Sequence, residues 1–327
     1  MRLGQIGELN LLREIRKRFK TENGGVLLGI GDDAAVIAPQ KENILVTTDM
    51  MNEGIHFDLS FTAPFHLGFK LVSVNVSDIF AMGGVPKYLF LNVALKSDAD
   101  EEMFGRLYEG ISKAMNMYGV KLAGGDLCAA KNDMVLSATV IGAAEKFIPR
   151  SGAKAGDKIY VTGALGDSAC GLEILKRLPP EEKEKVRGQE VGAAEFGAAA
   201  SLIMKHLMPI ACDSSEFAKY ASSMIDISDG LFIDLNRICD ESNAGARIYL
   251  NEVPVSDNMR AAAESMGLDA MRLATAGGED YELLFTAPWD ARIENAFCIG
   301  EISEKERIAV DEQGKEIPMK AEGYQHF

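Results

Sequence analysis

Basic residues are in short supply in this chain. Its 327 residues carry 34 Lys and Arg against 49 Asp and Glu, a formal net charge of −15. A surface so biased repels nucleic acid and anionic membranes, which are excluded as partners. A smaller anionic ligand, such as a nucleotide, needs cations interposed between itself and the protein. Cysteine and histidine are also scarce, at five and four. No Cys-x-x-Cys pair occurs and the histidines are scattered, which argues against a zinc site. The cysteines (Cys128, Cys170, Cys212, Cys239 and Cys298) are widely spaced and read as reduced core residues of a cytoplasmic protein. No uncharged apolar run approaches the roughly 18 residues a bilayer span needs. Met1 to Lys20 reads as an amphipathic helix rich in Arg and Lys, without a signal-peptide core. Fixed-period repeats and low-complexity segments are absent.

What is present is apolar sequence, 47% of the chain, with acids placed at or inside the apolar runs. That is enough for real cores, and the length suggests two domains or one large one. Gly29-Ile30-Gly31-Asp32-Asp33 precedes an apolar run; Asp49 ends the run Ile44 to Thr48. Asp78 lies inside Leu71 to Met82, and Asp126 follows Gly124-Gly125. Asp226-Ile227-Ser228-Asp229-Gly230 closes the set. An unpaired carboxylate in an apolar setting is costly, and adjacent acids repel unless a cation or donor separates them. One such motif reads as a capped turn. Five in one chain point to shared hard cations, Mg²⁺ above all, gathered to hold a polyphosphate. Gly29-x-Gly31 lacks the third glycine of a dinucleotide fingerprint and runs straight into two acids, which disfavours a Rossmann dehydrogenase.

The first half alternates strand and helix. Helices are expected over 8–19, 64–82 and 99–118, and strands over 35–38, 44–48, 88–95, 120–123 and 134–142. Within 64–82, Lys70, Val74 and Asp78 share a face and Asn75 lies one turn before Asp78. The turn-rich stretch Pro149 to Asp157 divides the chain into domains 1–148 and 149–327. Beyond it, strands are expected over 158–162, 246–250 and 281–286, and the segment 224–230 ends a further strand. Helices are expected over 167–178, 192–207, 231–243 and 257–266. The start of the 167–178 helix, after Gly163 to Gly166, can take an anion on its free N–H groups. The charged stretch 179–190 reads as a solvated surface segment.

In order along the chain stand the Gly29–Asp33 motif, Thr48-Asp49, Glu53-Gly54-Ile55-His56-Phe57 and Val74-Asn75-Val76-Ser77-Asp78. They are followed by Gly124-Gly125-Asp126, Pro149-Arg150-Ser151-Gly152-Ala153 and Asp226-Ile227-Ser228-Asp229-Gly230-Leu231. Last come Gly277-Gly278-Glu279-Asp280-Tyr281-Glu282-Leu283 and the tail Gly323-Tyr324-Gln325-His326-Phe327. This ordered set resembles the thiamine-monophosphate kinases, relatives of aminoimidazole-ribonucleotide synthetase, over nearly the whole length. The resemblance implies an α/β (α+β) fold of two domains, each a mixed sheet packed with helices. The first domain would bind metal and ATP and mediate homodimerisation; the second would complete the nucleotide and substrate site. It implies ATP- and Mg²⁺-dependent phosphorylation of thiamine monophosphate to thiamine diphosphate. Position by position, it implies metal ligands at Asp33, Thr47, Thr48, Asp49, Asp78, Asp126 and Asp226, with a further metal at Asp229. It implies ATP contacts at Tyr108, Gly125, Asp126, Arg150 and Ser228, and thiamine-phosphate contacts at His56, Glu279 and Tyr324. A phosphate nucleophile is already ionised at neutral pH, so no catalytic general base is expected.

Overall fold

The computed structural model describes residues 8–19, 25–28, 36–39, 41–96, 98–189 and 191–325. The chain divides into two compact units, 1–79 with 84–146 and 181–189, and 80–83 with 147–180 and 190–327. Asp33 and the last two residues, 326–327, lie outside the described residues. All five cysteines are free thiols; Cys170 and Cys239 are buried, whereas Cys128 and Cys298 are exposed. A core role therefore holds for two of the five. Among the described residues, no helix is long and apolar enough to cross a membrane.

The first unit contains α1 (Glu8–Arg18), β1 (Val26–Leu28), β2 (Val36–Ile37), β3 (Asn43–Asn52), α2 (Pro64–Ala81) and β4 (Val85–Lys96). It continues through α3 (Glu101–Tyr118), β5 (Lys121–Ala130) and β6 (Val135–Ala144). Four strands form one sheet in the order β3-β6-β4-β5. Only β4 and β5 pair in parallel. The α3 helix starts because the Asp100 carboxylate accepts from Met103 N at 2.7 Å, with Glu101 and Glu102 in the positive first turn. It stops at Gly119, which takes the left-handed φ of 69°. Phe104, Leu107, Tyr108, Ile111 and Met115 recur at helical spacing and are buried. A Cβ at Gly68 of α2 would lie 2.1 Å from Leu107 O, and one at Gly110 would collide with Phe65 O. The two glycines let α2 and α3 cross with their backbones in contact.

Successive β3 residues point to opposite faces of the sheet. Thr47 and Asp49 bond residues of α2, as detailed below. Ile44, Val46 and Met50, on the other face, are 60%, 64% and 59% exposed. Val85 is in register with Ala143, and Ala143 with Ile44, so Val85, also exposed, joins that apolar face. Toward β4, Val26 and Ile37 of the β1–β2 ribbon pack on Tyr88 and Phe90.

The second unit contains β7 (Lys158–Val161), α4 (Asp167–Arg177), α6 (Ala193–Phe196), α7 (Ala199–Leu207), β8 (Ser223–Asp226) and α8 (Leu231–Ser242). Between α4 and α6, α5 (Pro180–Arg187) falls almost entirely among residues grouped with the first unit. Then come β9 (Gly245–Tyr249), α9 (Asp257–Met266), α10 (Ala270–Ala276), β10 (Leu283–Ala287), β11 (Phe297–Ser303), β12 (Arg307–Val310) and β13 (Glu316–Pro318). The sheet order is β13-β12-β9-β11-β7-β10-β8, mixed because β12 and β9 run parallel. One core joins Ile159, Val161, Ile225 and Leu284 to Leu202, Leu235 and Ile238 of the helices. A second contains Tyr160, Met224, Phe217 and Phe285, with the Tyr160 and Phe285 rings stacked at 5.3 Å.

Besides β3, which runs past the expected end at Asp49 to Asn52, three features differ from the sequence expectation. The strand around 120–123 runs on through Gly124-Gly125-Asp126 to Ala130, so Asp126 sits within a strand. The reason is close approach: a Cβ at Gly125 would collide with Leu91 O, so these glycines serve pairing with β4 rather than a turn. The charged stretch forms a helix, α5, with Val186 buried. The 192–207 helix is interrupted at Gly197, whose φ is 55°.

Candidate functional site

In the first unit, β3 and α2 bring three of the expected ligands together. Thr47 Oγ1 donates to Asp78 Oδ2 at 2.5 Å. Asn75, fully buried, accepts from Asp49 N through Oδ1 at 3.1 Å and donates from Nδ2 to Leu71 O at 2.9 Å. The polar stripe of an otherwise apolar helix thus has two tasks. Asn75 ties β3 to α2, and Asp78 stands in reach of the β3 hydroxyl.

Thr48 points the other way. Its Oγ1 donates to Ala138 O at 3.1 Å and accepts from Thr139 Oγ1 at 3.1 Å. Register fixes the position of Asp126 as well: Met50 pairs with Ser137, Ser137 with Asn92, and Asn92 with Asp126. Asp126 therefore shares a face with Thr48 and Met50 and is exposed. It lies three strands away, about 14 Å at the usual inter-strand spacing. The sheet splits the expected first-unit ligands into a helix-facing set (Thr47, Asp49, Asp78) and an open-face set (Thr48, Asp126). Among the described residues, no group of three His, Cys, Asp or Glu side chains stands ready to hold a metal.

His56 sits on the loop after β3. Asn52 N donates to its Nδ1 at 3.0 Å, and His56 N donates to Asn52 O at 2.9 Å. An acceptor at Nδ1 is unprotonated, so the neutral ring carries its proton on Nε2 and presents a donor. Glu53 steadies the loop by accepting from Met134 N at 2.8 Å. Tyr108 is only 4% exposed, and its ring lies against Phe104 and Phe19, with centroids at 4.7 and 6.0 Å. Burial raises its phenol well above the usual range. In this chain Tyr108 is a core residue of α3 and presents little surface to a ligand.

In the second unit, backbone contacts draw three separated segments together. Glu279 N donates to Ser228 O at 2.7 Å, Tyr281 N to Ile227 O at 2.9 Å, and Tyr324 N to Asp229 O at 3.0 Å. A Cβ at Gly278 would stand 2.5 Å from Ser228 O, so the glycine permits that approach. Asp226, Ser228, Asp229, Glu279 and Tyr324 thus converge. Asp226 is 2% exposed at the end of β8, and Tyr324 is 46% exposed. Asp229 Oδ2 accepts from Arg237 Nη2 at 2.6 Å, so a cation arriving there has to share the carboxylate with a guanidinium. Arg237 also bonds Asp234, whose carboxylate accepts from Asp229 N and Gly230 N at 3.1 Å. Burial pushes the Asp234 carboxyl up to about 6, against the pull of Arg237. Arg150 is exposed, and its side chain has no partner among the described residues. Its backbone is pinned instead, with Ser242 Oγ donating to Arg150 O at 3.3 Å and accepting from Gly152 N and Ala153 N. A cavity of about 800 Å³ borders the segments that carry Glu279 and Tyr324, lined in part by Gly277, Gly323 and Gln325.

The acceptor at the start of α4 is the protein's own. Asp280 accepts from Gly166 N at 2.7 Å and from Ser168 N at 3.2 Å, filling the helix terminus that the sequence offered to a ligand. Burial pushes the Asp280 carboxyl from 3.8 up to about 7, opposed by the Gly166 bond and by Lys205. The folded state therefore holds a proton between about pH 4 and 7 that the unfolded chain has released. Asp280's contribution to stability is present below 3.8 and is lost as pH rises through about 7. Chemical unfolding across this range is expected to show that falling slope in wild type and a flatter one in Asp280→Asn. An unchanged slope in the variant would assign the titration to another group.

Sequence reasoning gave no role to His206, Lys205, Glu282 or Arg237. His206 Nδ1 lies 3.1 Å from Glu279 Oε2 and 3.2 Å from Ser168 Oγ. Lys205 Nζ donates to Glu282 Oε1 at 2.7 Å, and Thr162 Oγ1 donates to Glu282 Oε2 at 2.7 Å. These pairs join residues far apart in the chain, and no local motif announces them.

Comparison with known proteins places this arrangement in a class. Residues 31–144 match the model of the AIR synthase related protein, N-terminal domain, and residues 154–312 match its C-terminal domain. The thiamine-monophosphate kinase of Aquifex aeolicus is 35% identical over 333 residues, covering all of both chains. That of Escherichia coli K12 is 35% identical over 335 residues, 98% of each. A solved structure, AaThiL complexed with AMPPCP and TMP, superimposes with a TM-score of 0.77 at 34% identity, covering 100% of this chain and 99% of that one. The thiamine-monophosphate kinase of Stenotrophomonas maltophilia K279a gives a TM-score of 0.78 at 29% identity, covering 94% and 96%. The chain belongs to the AIR synthase related family and, within it, to the thiamine-monophosphate kinases.

Proposed function

We propose that this enzyme transfers the γ-phosphoryl group of ATP to the phosphate of thiamine monophosphate, giving thiamine diphosphate and ADP in one in-line step. The observation that carries this reading is the donor set that β3 and α2 hold together, Thr47, Asp49 and Asp78, with His56 fixed as a donor on the loop after β3. Every atom in that set is a hard oxygen, which suits Mg²⁺ and not a softer metal. Thr47, Asp49 and Asp78 would hold Mg²⁺ on the helix side, Thr48 and Asp126 on the open face, and Asp226 and Asp229 in the second unit, with Asp33 as a further ligand. When bound, Mg²⁺ supplies the charge neutralisation that two phosphate groups need in order to approach each other.

The acceptor is a phosphate oxygen with a second pKa near 6, largely ionised at pH 7, so no side chain has to remove a proton. The protein's work is alignment. His56 donates Nε2–H to the thiamine phosphate. Arg150, exposed and without a side-chain partner among the described residues, extends a fixed positive charge to the ATP phosphates. Gly125, Asp126 and Ser228 contact the nucleotide. Tyr108 does so only if its buried ring turns outward. Glu279 and Tyr324 meet the thiamine moiety. The AMPPCP and TMP held by AaThiL, an ATP analogue and a thiamine phosphate, support this choice of substrates.

The sheet geometry supports a homodimer. Oxygens on one Mg²⁺ at 2.0–2.1 Å lie at most about 4 Å apart, so Thr48 and Asp126 of one chain cannot share an ion across three strands. A second copy, docked on the apolar face of Ile44, Val46 and Met50, would bring its Asp126 to this chain's Thr48. The net charge and the free thiols support a cytoplasmic enzyme.

The test is ADP release with Mg-ATP across candidate acceptors. Thiamine monophosphate is expected to give ADP and thiamine diphosphate in equal amounts. ATP binding without turnover would support a regulatory protein instead, and turnover with a different acceptor would support a ligase of the same family.

A further inference from the structure

We infer that His206 is a positioning residue that orients the Glu279 carboxylate toward the thiamine moiety of the acceptor. The inference rests on the reading of Glu279 as an acceptor contact. Glu279 has a φ of 66° and Tyr281 one of 51°, left-handed values that non-glycine residues seldom adopt. Contacts on every side impose this conformation. Glu279 N is bonded to Ser228 O, Tyr281 N to Ile227 O, and the Asp280 carboxylate between them to the first turn of α4. With the backbone fixed, the remaining freedom of Glu279 lies in its side-chain torsions.

His206 removes much of that freedom. It stands in the last turn of α7 and is 5% exposed, so its ring is set by packing. Its Nδ1 lies 3.1 Å from Glu279 Oε2, and Ser168 Oγ, itself fully buried, stands 3.2 Å from the same nitrogen. A carboxylate only accepts, so Nδ1 carries the proton and donates. Held at one oxygen from inside the unit, the carboxylate has a fixed plane, and its 28% exposed side chain meets the ligand in one orientation. Orientation of this kind acts on affinity for the acceptor and leaves affinity for ATP unchanged.

The experiment compares two polar replacements of similar cost to a buried site. In His206→Asn the amide nitrogen stands near the position of Nδ1; in His206→Gln it is carried beyond it. With the full-length enzyme, His206→Gln is expected to raise KM for thiamine monophosphate about tenfold, the scale of one lost hydrogen bond to a charged group. KM for ATP is expected to stay within about twofold, and His206→Asn to restore most of the loss. On a Glu279→Gln background, His206→Gln is expected to add nothing further. A normal acceptor KM in His206→Gln beside a raised one in Glu279→Gln would overturn the inference and keep Glu279 as a contact. Normal values in both would overturn both. Equal weakening toward ATP and acceptor, or additive losses in the double variant, would make His206 a general structural residue.

Discussion

Asp78→Asn is expected to lower kcat by about 100-fold or more, the usual scale for losing a strong electrostatic stabiliser at the reacting groups. The substitution is nearly isosteric. The Asn side-chain oxygen can still accept from Thr47 Oγ1, which Asp78 does at 2.5 Å, so the β3–α2 seam stays intact. Only the charge goes. The melting temperature is therefore expected to hold within about 3 °C, a shift that corresponds to no more than about 2 kcal/mol in a chain of this size. Rates at saturating Mg-ATP and acceptor, set beside a thermal scan, check this. Near-normal turnover would remove Asp78 from the metal set. A large loss of melting temperature would make it a structural residue, as Asn75 already is through its bonds to Asp49 N and Leu71 O.

The second large effect concerns the open face of the first unit's sheet. Val46 is 64% exposed within the chain, flanked along β3 by Ile44 and Met50. A charge at that position costs the isolated chain little, because the side chain is already in water. Buried against a second copy, the same charge would be unpaired and strongly unfavourable. Val46→Glu is expected to sediment as a folded monomer and to lose nearly all activity. Thr48 and Asp126 would then no longer meet on one ion. Mixing sharpens the point. A Thr48→Val homodimer and an Asp126→Asn homodimer each carry two damaged sites, whereas their mixed dimer carries one intact site. If copies exchange freely, half the dimers are mixed, and activity recovers to about a quarter of wild type. Sedimentation as a dimer in Val46→Glu, or no recovery on mixing, would contradict the two-copy arrangement.

Much of the local structure was legible in the chain. The stripe Phe104, Leu107, Tyr108, Ile111 with Asp100 before it and Gly119 after it marks α3 from end to end. The spacing of Asn75 and Asp78 marked α2 as more than a packing helix, and the structure gives both residues partners on β3. Reading failed where glycine has two meanings. Gly124-Gly125 looks like a turn, yet it is a stretch of strand in close contact with β4. It failed again wherever function depends on which strand lies beside which. That Thr48 and Asp126 share a face, and that two strands part them, follows only from the β3-β6-β4-β5 order. The same holds for Asp280. Its place after two glycines suggests a turn cap, whereas its carboxylate caps α4, more than a hundred residues earlier in the chain. Long-range pairing of this sort leaves no local pattern, so neither the His206–Glu279 pair nor the Lys205–Glu282 pair carried a signal.

The most direct measurement follows the phosphorus itself. ATP labelled at the γ-phosphate is mixed with the full-length enzyme and thiamine monophosphate, with Mg²⁺ and after its removal by a chelator, and the products are read by ³¹P resonance. The label is expected at the terminal phosphate of thiamine diphosphate when Mg²⁺ is present, with one ADP for each product, and transfer is expected to stop without the metal. Label released as inorganic phosphate, or transfer that proceeds unchanged after chelation, would contradict the assignment of these carboxylates to metal-assisted phosphoryl transfer.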